Sequence, residues 1–164
     1  MPKKPVIAVV MGSDSDYPVM KETSKVLSDF GIPFEIKVLS AHRSPDLVTR
    51  FARLAKNKGL KVIIAGAGGA AHLAGVIASH TTLPVIGIPI ESKYLKGIDS
   101  LFSTVQMPGG VPVSCMSIGR SGAKNAAISA LQILALNDNK VQKRLELFKK
   151  EMVRTIKKKN RDLK

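Results

Sequence analysis

Residues 38–47 read VLSAHRSPDL, an apolar run ending at Leu39 and a helical pattern starting at Pro45. Four polar side chains, Ser40, His42, Arg43 and Ser44, share the short connection between them. Ser44 followed by Pro45 is an ordinary helix entry, a hydroxyl at the N-cap and proline at the first helical position. That explains two residues and leaves Ser40, His42 and Arg43 over. An imidazole exchanges its proton near neutral pH and suits general acid–base work. The neighbouring guanidinium forks onto a phosphate or a carboxylate.

Two further stretches carry comparable chemistry. In GSDSD, Gly12–Asp16, the glycine permits a tight turn and any one of Ser13, Ser15 or Asp16 can cap the helix that follows. One cap suffices. The others are available to a ligand, with helix N–H groups for an anion and the Asp16 carboxylate for the two hydroxyls of a ribose. In AGAGGAAHLAG, Ala65–Gly75, residues Gly66, Gly68 and Ala71 fit the G-x-G-x-x-G/A dinucleotide pattern, and Glu91 lies twenty residues after Ala71. This would be the third strand–helix unit rather than the first, and no second region remains for a hydride-transfer substrate. The other reading is that the glycines let backbone approach a flat ligand, with His72 donating to it or simply capping the next helix.

Other features point away from chemistry. His80 closes a helix, an ordinary place for a cation, and the three histidines fit no zinc spacing, so no metal is expected. Cys115 is the single cysteine, which excludes an internal disulfide and reads as a small buried hydrophobe. No GxSxG elbow and no GxxxxGK[ST] phosphate loop is present. The opening MPKKPVIAVVMG resembles a leader, but its apolar run from Val6 to Met11 is too short for one. A cytoplasmic setting without membrane spans is therefore expected.

The elements that must position these residues follow from periodicity. Apolar runs at 6–11, 34–39, 61–66 and 84–89, with a weaker one at 111–116, alternate with helical patterns that Gly31 and Gly59 close. Runs apolar on both faces predict a parallel sheet covered on both sides, a single three-layer α/β/α domain over residues 1–136. Ligands of such sheets bind beyond the carboxyl ends of the strands. The connections after the first three runs, together with residues 100–114 as a rim, are the expected site.

After Asn137 a narrow apolar seam (Val141, Leu145, Phe148, Met152, Ile156) runs along an extra C-terminal helix of residues 137–164. It buries itself either on its own chain or on a neighbouring subunit. The net charge is +14, and eleven basic against four acidic residues place half of the excess in this tail. Aromatic residues are only 4% and Trp is absent, so a stacking platform for nucleic acid is not expected. The tail reads as a solvated helix face, with nucleic-acid binding as the alternative.

VMGSDSDYPVM, SAHRSP, IIAGAGGAAHLAGVIA, PVIGIP, GIDSLFSTVQMPGGVPV and IGRSGAKNAA, in this order, resemble the PurE-type N5-carboxyaminoimidazole ribonucleotide mutases. The resemblance covers about Val6–Leu136 and omits the basic tail. It implies a flavodoxin-like fold, a homo-octamer, no metal or organic cofactor, and an isomerase of de novo purine biosynthesis. That enzyme moves a carboxylate from the exocyclic nitrogen of an aminoimidazole ribonucleotide to ring carbon C4. His42 falls on the family's acid–base histidine. Ser13, Asp16 and Arg43 fall on substrate-binding positions, with Ser15, Ser40, the glycine loop at Gly68, and His72 completing the pocket. Arg120, Ser121 and Lys124 depart from the usual pattern, at the rim or at subunit contacts. The branch that carboxylates aminoimidazole ribonucleotide directly with CO2 differs in SAHRSP and GAGGAAHLAG, and is the near alternative to the mutase.

Overall fold

In the computed structural model, residues 4–163 are described. Met1–Lys3 of the leader-like opening and Lys164 at the end of the basic tail lie outside them. Five strands form one sheet: β1 (Ile7–Met11), β2 (Phe34–Val38), β3 (Val62–Gly68), β4 (Val85–Ile90) and β5 (Ser114–Cys115). Their order is β2-β1-β3-β4-β5, and every pairing is parallel. Helices α1 (Tyr17–Asp29), α2 (Pro45–Ala55), α3 (Leu73–Ala78), α4 (Ile98–Val105) and α5 (Gly119–Ala135) connect or follow the strands. α6 spans Asn139–Asp162. This is the expected flavodoxin-like α/β fold with an extra C-terminal helix. The chain divides into two compact units, Met1–Ala130 and Leu131–Lys164, with the division inside α5.

The sheet is covered on both faces because its central strands are apolar at every position. All five residues of β1 and all six of β4 are buried. Alternate side chains point to opposite faces: Ala8, Val10, Ile63 and Ala65 pack with Val48 and Phe51 of α2 and with Leu73 and Ile77 of α3. On the other face Gly66 approaches the Met20 sulfur of α1. There the buried Thr23 hydroxyl donates to the Ala123 carbonyl at 2.8 Å, tying α1 to α5. β2 departs from the two-sided expectation. It is an edge strand with Ile36 and Val38 exposed, because only β1 pairs with it. Gly31 and Gly59 end their segments with φ of 61° and 92°, the left-handed conformation anticipated at those stops.

In the second unit, the Asp138 side chain accepts from the N–H groups of Lys140 and Val141 and so caps α6. Along the seam Val141 and Leu145 are buried while Met152 and Ile156 are exposed. Among the described residues no helix is long and apolar enough to cross a membrane.

Gly87 sits at the middle of β4, where an added methyl would meet the Thr104 methyl of α4 and lie 3.0 Å from Val113. Gly87→Ala should therefore destabilise the fold by about 1–3 kcal/mol through overpacking. Denaturant unfolding checks this; an unchanged midpoint would show that α4 has slack against the sheet.

Candidate active site

Because all strands point the same way, the ends of β1, β2, β3 and β4 come out on one edge of the sheet. A cavity of about 370 Å³ lies there. β1 contributes Gly12, Ser13, Ser15 and Asp16, and the β2–α2 connection contributes Ser40, His42 and Arg43. β3 adds Gly68 to Ala70, and β4 adds Glu91 and Ser92. His72 is not on the lining itself, but its ring meets His42 at the mouth. Ser13, Ser15, Asp16, Ser40, His42, Arg43 and Gly68 are thus brought to one place, with His72 in contact through His42.

The β1 turn is a short 3₁₀ segment, Asp14–Asp16, with a reciprocal cap. The Ser13 hydroxyl accepts from the Ser15 N–H at 3.3 Å, and the Asp16 carboxylate accepts from the Ser13 N–H at 3.0 Å. Asp16 is only 8% exposed. Burial pushes its carboxyl above the ordinary value, against the opposing pull of the Ser13 and Gly12 amides and of Arg43. Ser15 is exposed at the rim, its hydroxyl 2.9 Å from that of Ser13.

The β2–α2 connection is held by its own serines. Ser44 occupies the N-cap position, but its side chain does not cap α2. Its hydroxyl donates to the Ser40 carbonyl at 3.0 Å and accepts from the Ser40 N–H at 3.1 Å, closing the loop on itself. The Ser40 hydroxyl accepts from the Arg43 N–H at 3.2 Å and from Arg43 Nε at 3.3 Å. Arg43 Nη2 also reaches the Gly12 carbonyl at 3.4 Å, so the guanidinium lies across the β1 turn with donors left for an anion.

His42 Nε2 and His72 Nδ1 are 2.9 Å apart, with the rings edge to face at 86°. One nitrogen of such a pair must carry the hydrogen and the other the lone pair. The two imidazoles, thirty residues apart in sequence, are therefore joined by one hydrogen bond. His72 sits at the N-cap of α3 without a side-chain cap bond, so the capping alternative does not hold.

The sequence reading named Glu91 only for the dinucleotide alternative and left out Ser92. Both line the cavity, directly after β4. The signal was available, since the carboxyl end of every parallel strand faces the same edge, and PVIGIP was recognised as a strand. Residues 100–114 were expected as a rim and do not line the cavity. Their first part is α4, whose Ser100 and Ser103 bond Gly69 from behind, and the remainder leads into β5. Cys115 is half-buried rather than buried, and burial raises its thiol. Among the described residues no group of three or more His, Cys, Asp or Glu side chains is placed to hold a metal ion.

The AIR carboxylase family pattern matches residues 6–155. The chain belongs to the AIR carboxylase family. Within it, the chain is 51% identical over 161 residues to the N5-carboxyaminoimidazole ribonucleotide mutase of Pyrococcus horikoshii, covering 98% of this chain and 90% of that protein. The mutase of Bacillus subtilis is 50% identical over 153 residues, 93% of this chain and 94% of that one. Among solved structures, Treponema denticola PurE superposes with a TM-score of 0.88 at 25% identity, covering 98% of this chain and 99% of the other. As an AIR carboxylase family member with mutase relatives at half identity, the chain is an isomerase-type enzyme, not a dinucleotide-binding module.

The Asp16 environment gives a pH signature independent of turnover. Below 3.8, its ordinary value, folded and unfolded chains both hold the proton. As pH rises through the raised folded value, the unfolded chain gains more from ionising, and stability is lost. Asp16→Asn should remove that loss. Unfolding free energies from about pH 3 to about pH 7 should show the variant gaining on the parent as pH rises and then levelling. A constant difference would mean that the carboxyl is not desolvated.

Proposed function

We infer that this chain is an N5-carboxyaminoimidazole ribonucleotide mutase of purine biosynthesis, giving 4-carboxy-5-aminoimidazole ribonucleotide. The observation that carries the catalytic assignment is the His42–His72 contact at the mouth of a cavity that also holds Arg43 and a buried Asp16. The ligand has a phosphate for Arg43 and the Ser13–Ser15 turn, a ribose diol for Asp16, and a flat ring against the Gly68 backbone. Ser40 holds Arg43 in position through the two bonds to its hydroxyl.

The reaction needs two proton movements. The exocyclic N–C bond breaks, the bond pair stays on nitrogen, and CO2 is released while nitrogen takes a proton. Ring C4 then attacks CO2, and the C4 hydrogen leaves as a proton. His42 can supply the first proton and accept the second, so the imidazole ends as it began. No outside oxidant or acid is consumed. The contact between His72 Nδ1 and His42 Nε2 keeps the His42 ring oriented, so the proton exchanged with the ligand is carried on the other ring nitrogen, Nδ1. General acid–base catalysis of this kind contributes about 10²–10⁴-fold. Positioning and exclusion of water from the CO2-holding cavity supply the rest.

Catalysis in this reading resides in residues 1–136, and 137–164 is an appended helix. The chain acts in the cytoplasm as a homo-octamer. Support for assembly comes from a stripe of Leu95, Ile98, Phe102 and Val105, all exposed in the single chain and spaced by three, four and three residues. The exposed outer half of the α6 seam is a second candidate contact. Apolar faces of this kind mark sites of association.

His42→Asn should lower turnover at least 100-fold while leaving ribonucleotide affinity within a few-fold. The assay is ultraviolet detection of the C4 carboxylate formed from the N-carboxylated ribonucleotide. A variant that keeps a tenth of the parent rate removes His42 from the chemistry. Arg43→Ala should raise KM about tenfold or more with a smaller change in kcat, as loss of a charge-assisted phosphate contact requires. Unchanged affinity contradicts the phosphate assignment.

A further inference from the structure

Behind the cavity, Ser100 of α4 is fully buried. Its hydroxyl accepts from the Gly69 N–H at 2.8 Å and donates to the Ile90 carbonyl at 2.7 Å. One oxygen therefore joins the glycine loop after β3 to the carboxyl end of β4. Helical serines ordinarily point outward or bond back to the preceding turn; this one bridges two other elements.

The surroundings strengthen the bridge. Ser103, one turn on, donates to the Asp99 carbonyl at 2.7 Å and reaches the Gly69 carbonyl at 3.4 Å. Both polar groups of Gly69 thus face α4. The Ser92 hydroxyl donates to Asp99 at 2.7 Å and accepts from the Gly97 N–H at 3.2 Å, while the Ser100 N–H donates to the same Asp99 oxygen. The Ser92 hydroxyl also holds the Asp99 carboxyl below its ordinary range, so the carboxylate that seats this turn of α4 stays ionised. Gly69 itself has φ 66°, a conformation that glycine reaches readily and other residues rarely.

We propose that Ser100 is a positioning residue for the reaction. Through Gly69 it fixes the glycine loop that forms the cavity wall and leads, three residues on, to His72. This rests on the mutase reading of the same site. Ser100 touches no substrate; it sets where the wall and the His42 partner stand. A hydroxyl is the smallest side-chain group that donates and accepts at once, and alanine would leave the Gly69 N–H and the Ile90 carbonyl unpaired. Displacements of about 1 Å at a site can cost 10²-fold in rate.

The test compares Ser100→Ala with Thr104→Val. Thr104 is also buried on α4, and its hydroxyl donates only to the Ser100 carbonyl within the helix. Both variants lose a buried hydroxyl, and both should unfold at lower denaturant. Only Ser100→Ala should lower kcat, by about ten- to a hundredfold with a smaller change in KM. Only Ser100→Ala should speed exchange of the Gly69 amide hydrogen, at least tenfold, with the β3 amides unchanged. Equal kcat in the two variants, or a freely exchanging Gly69 with full turnover, overturns the proposal. Should Ser100→Ala fail to fold, the parent decides: its Gly69 amide must be protected as well as the strand amides of β3, and rapid exchange there refutes the clamp. A parent that leaves the N-carboxylated ribonucleotide unchanged sinks the mutase reading instead, and the exchange measurement still judges the clamp.

Discussion

Everything at the site depends on the parallel pairing of β1 with both β2 and β3. The register sets Met11 beside Val38 on one side and beside Gly66 on the other. The chain leaves β1, goes to one side to make β2, and returns across it to make β3. The segments that follow β2 and β3 therefore emerge on either side of the β1 turn. This reversal of strand order opens the crevice. It is why an arginine from one segment can lie over the Gly12 carbonyl while its neighbouring histidine meets an imidazole from the other.

Around that crevice polar groups are used sparingly and in pairs. Ser40 and Ser44 close the arginine loop, Ser13 and Asp16 close the β1 turn, and Ser100 with Asp99 and Ser92 backs the glycine loop. Each side chain satisfies backbone groups that would otherwise stand unpaired near the ends of buried strands. The outcome is a rigid rim, with the charged and titratable groups Arg43, Asp16 and the histidine pair held in fixed relation. Rigidity matters because the proposed chemistry holds a neutral gas molecule beside a ring carbon, with no covalent tether between them.

Asp16 shows how one residue serves both fold and site. As the acidic partner of a reciprocal cap it fixes the turn, and as a buried carboxylate beside Arg43 it faces the cavity. The same burial that makes it a directional acceptor makes it costly when ionised. Arg43 and two amides offset part of that cost, so turn, arginine loop and carboxylate form one electrostatic unit.

The amino-acid sequence by itself determined the elements and the cast. Apolar runs of strand length between glycine-closed helices dictated a covered parallel sheet. The surplus of polar groups in GSDSD and SAHRSP, beyond what capping needs, marked the residues that line the cavity, because local rules account for caps and leave the remainder visible. Tertiary structure alone decided the partnerships. The His42–His72 contact, the guanidinium over Gly12, the edge position of β2 and the Ser100 bridge join residues far apart along the chain, and no period or local motif encodes such distances. Residues 100–114 show the same limit from the other side: their composition looked like a rim, but the first of them form α4 behind the glycine loop. That placement exists only once the strands have paired and the helix has packed on them.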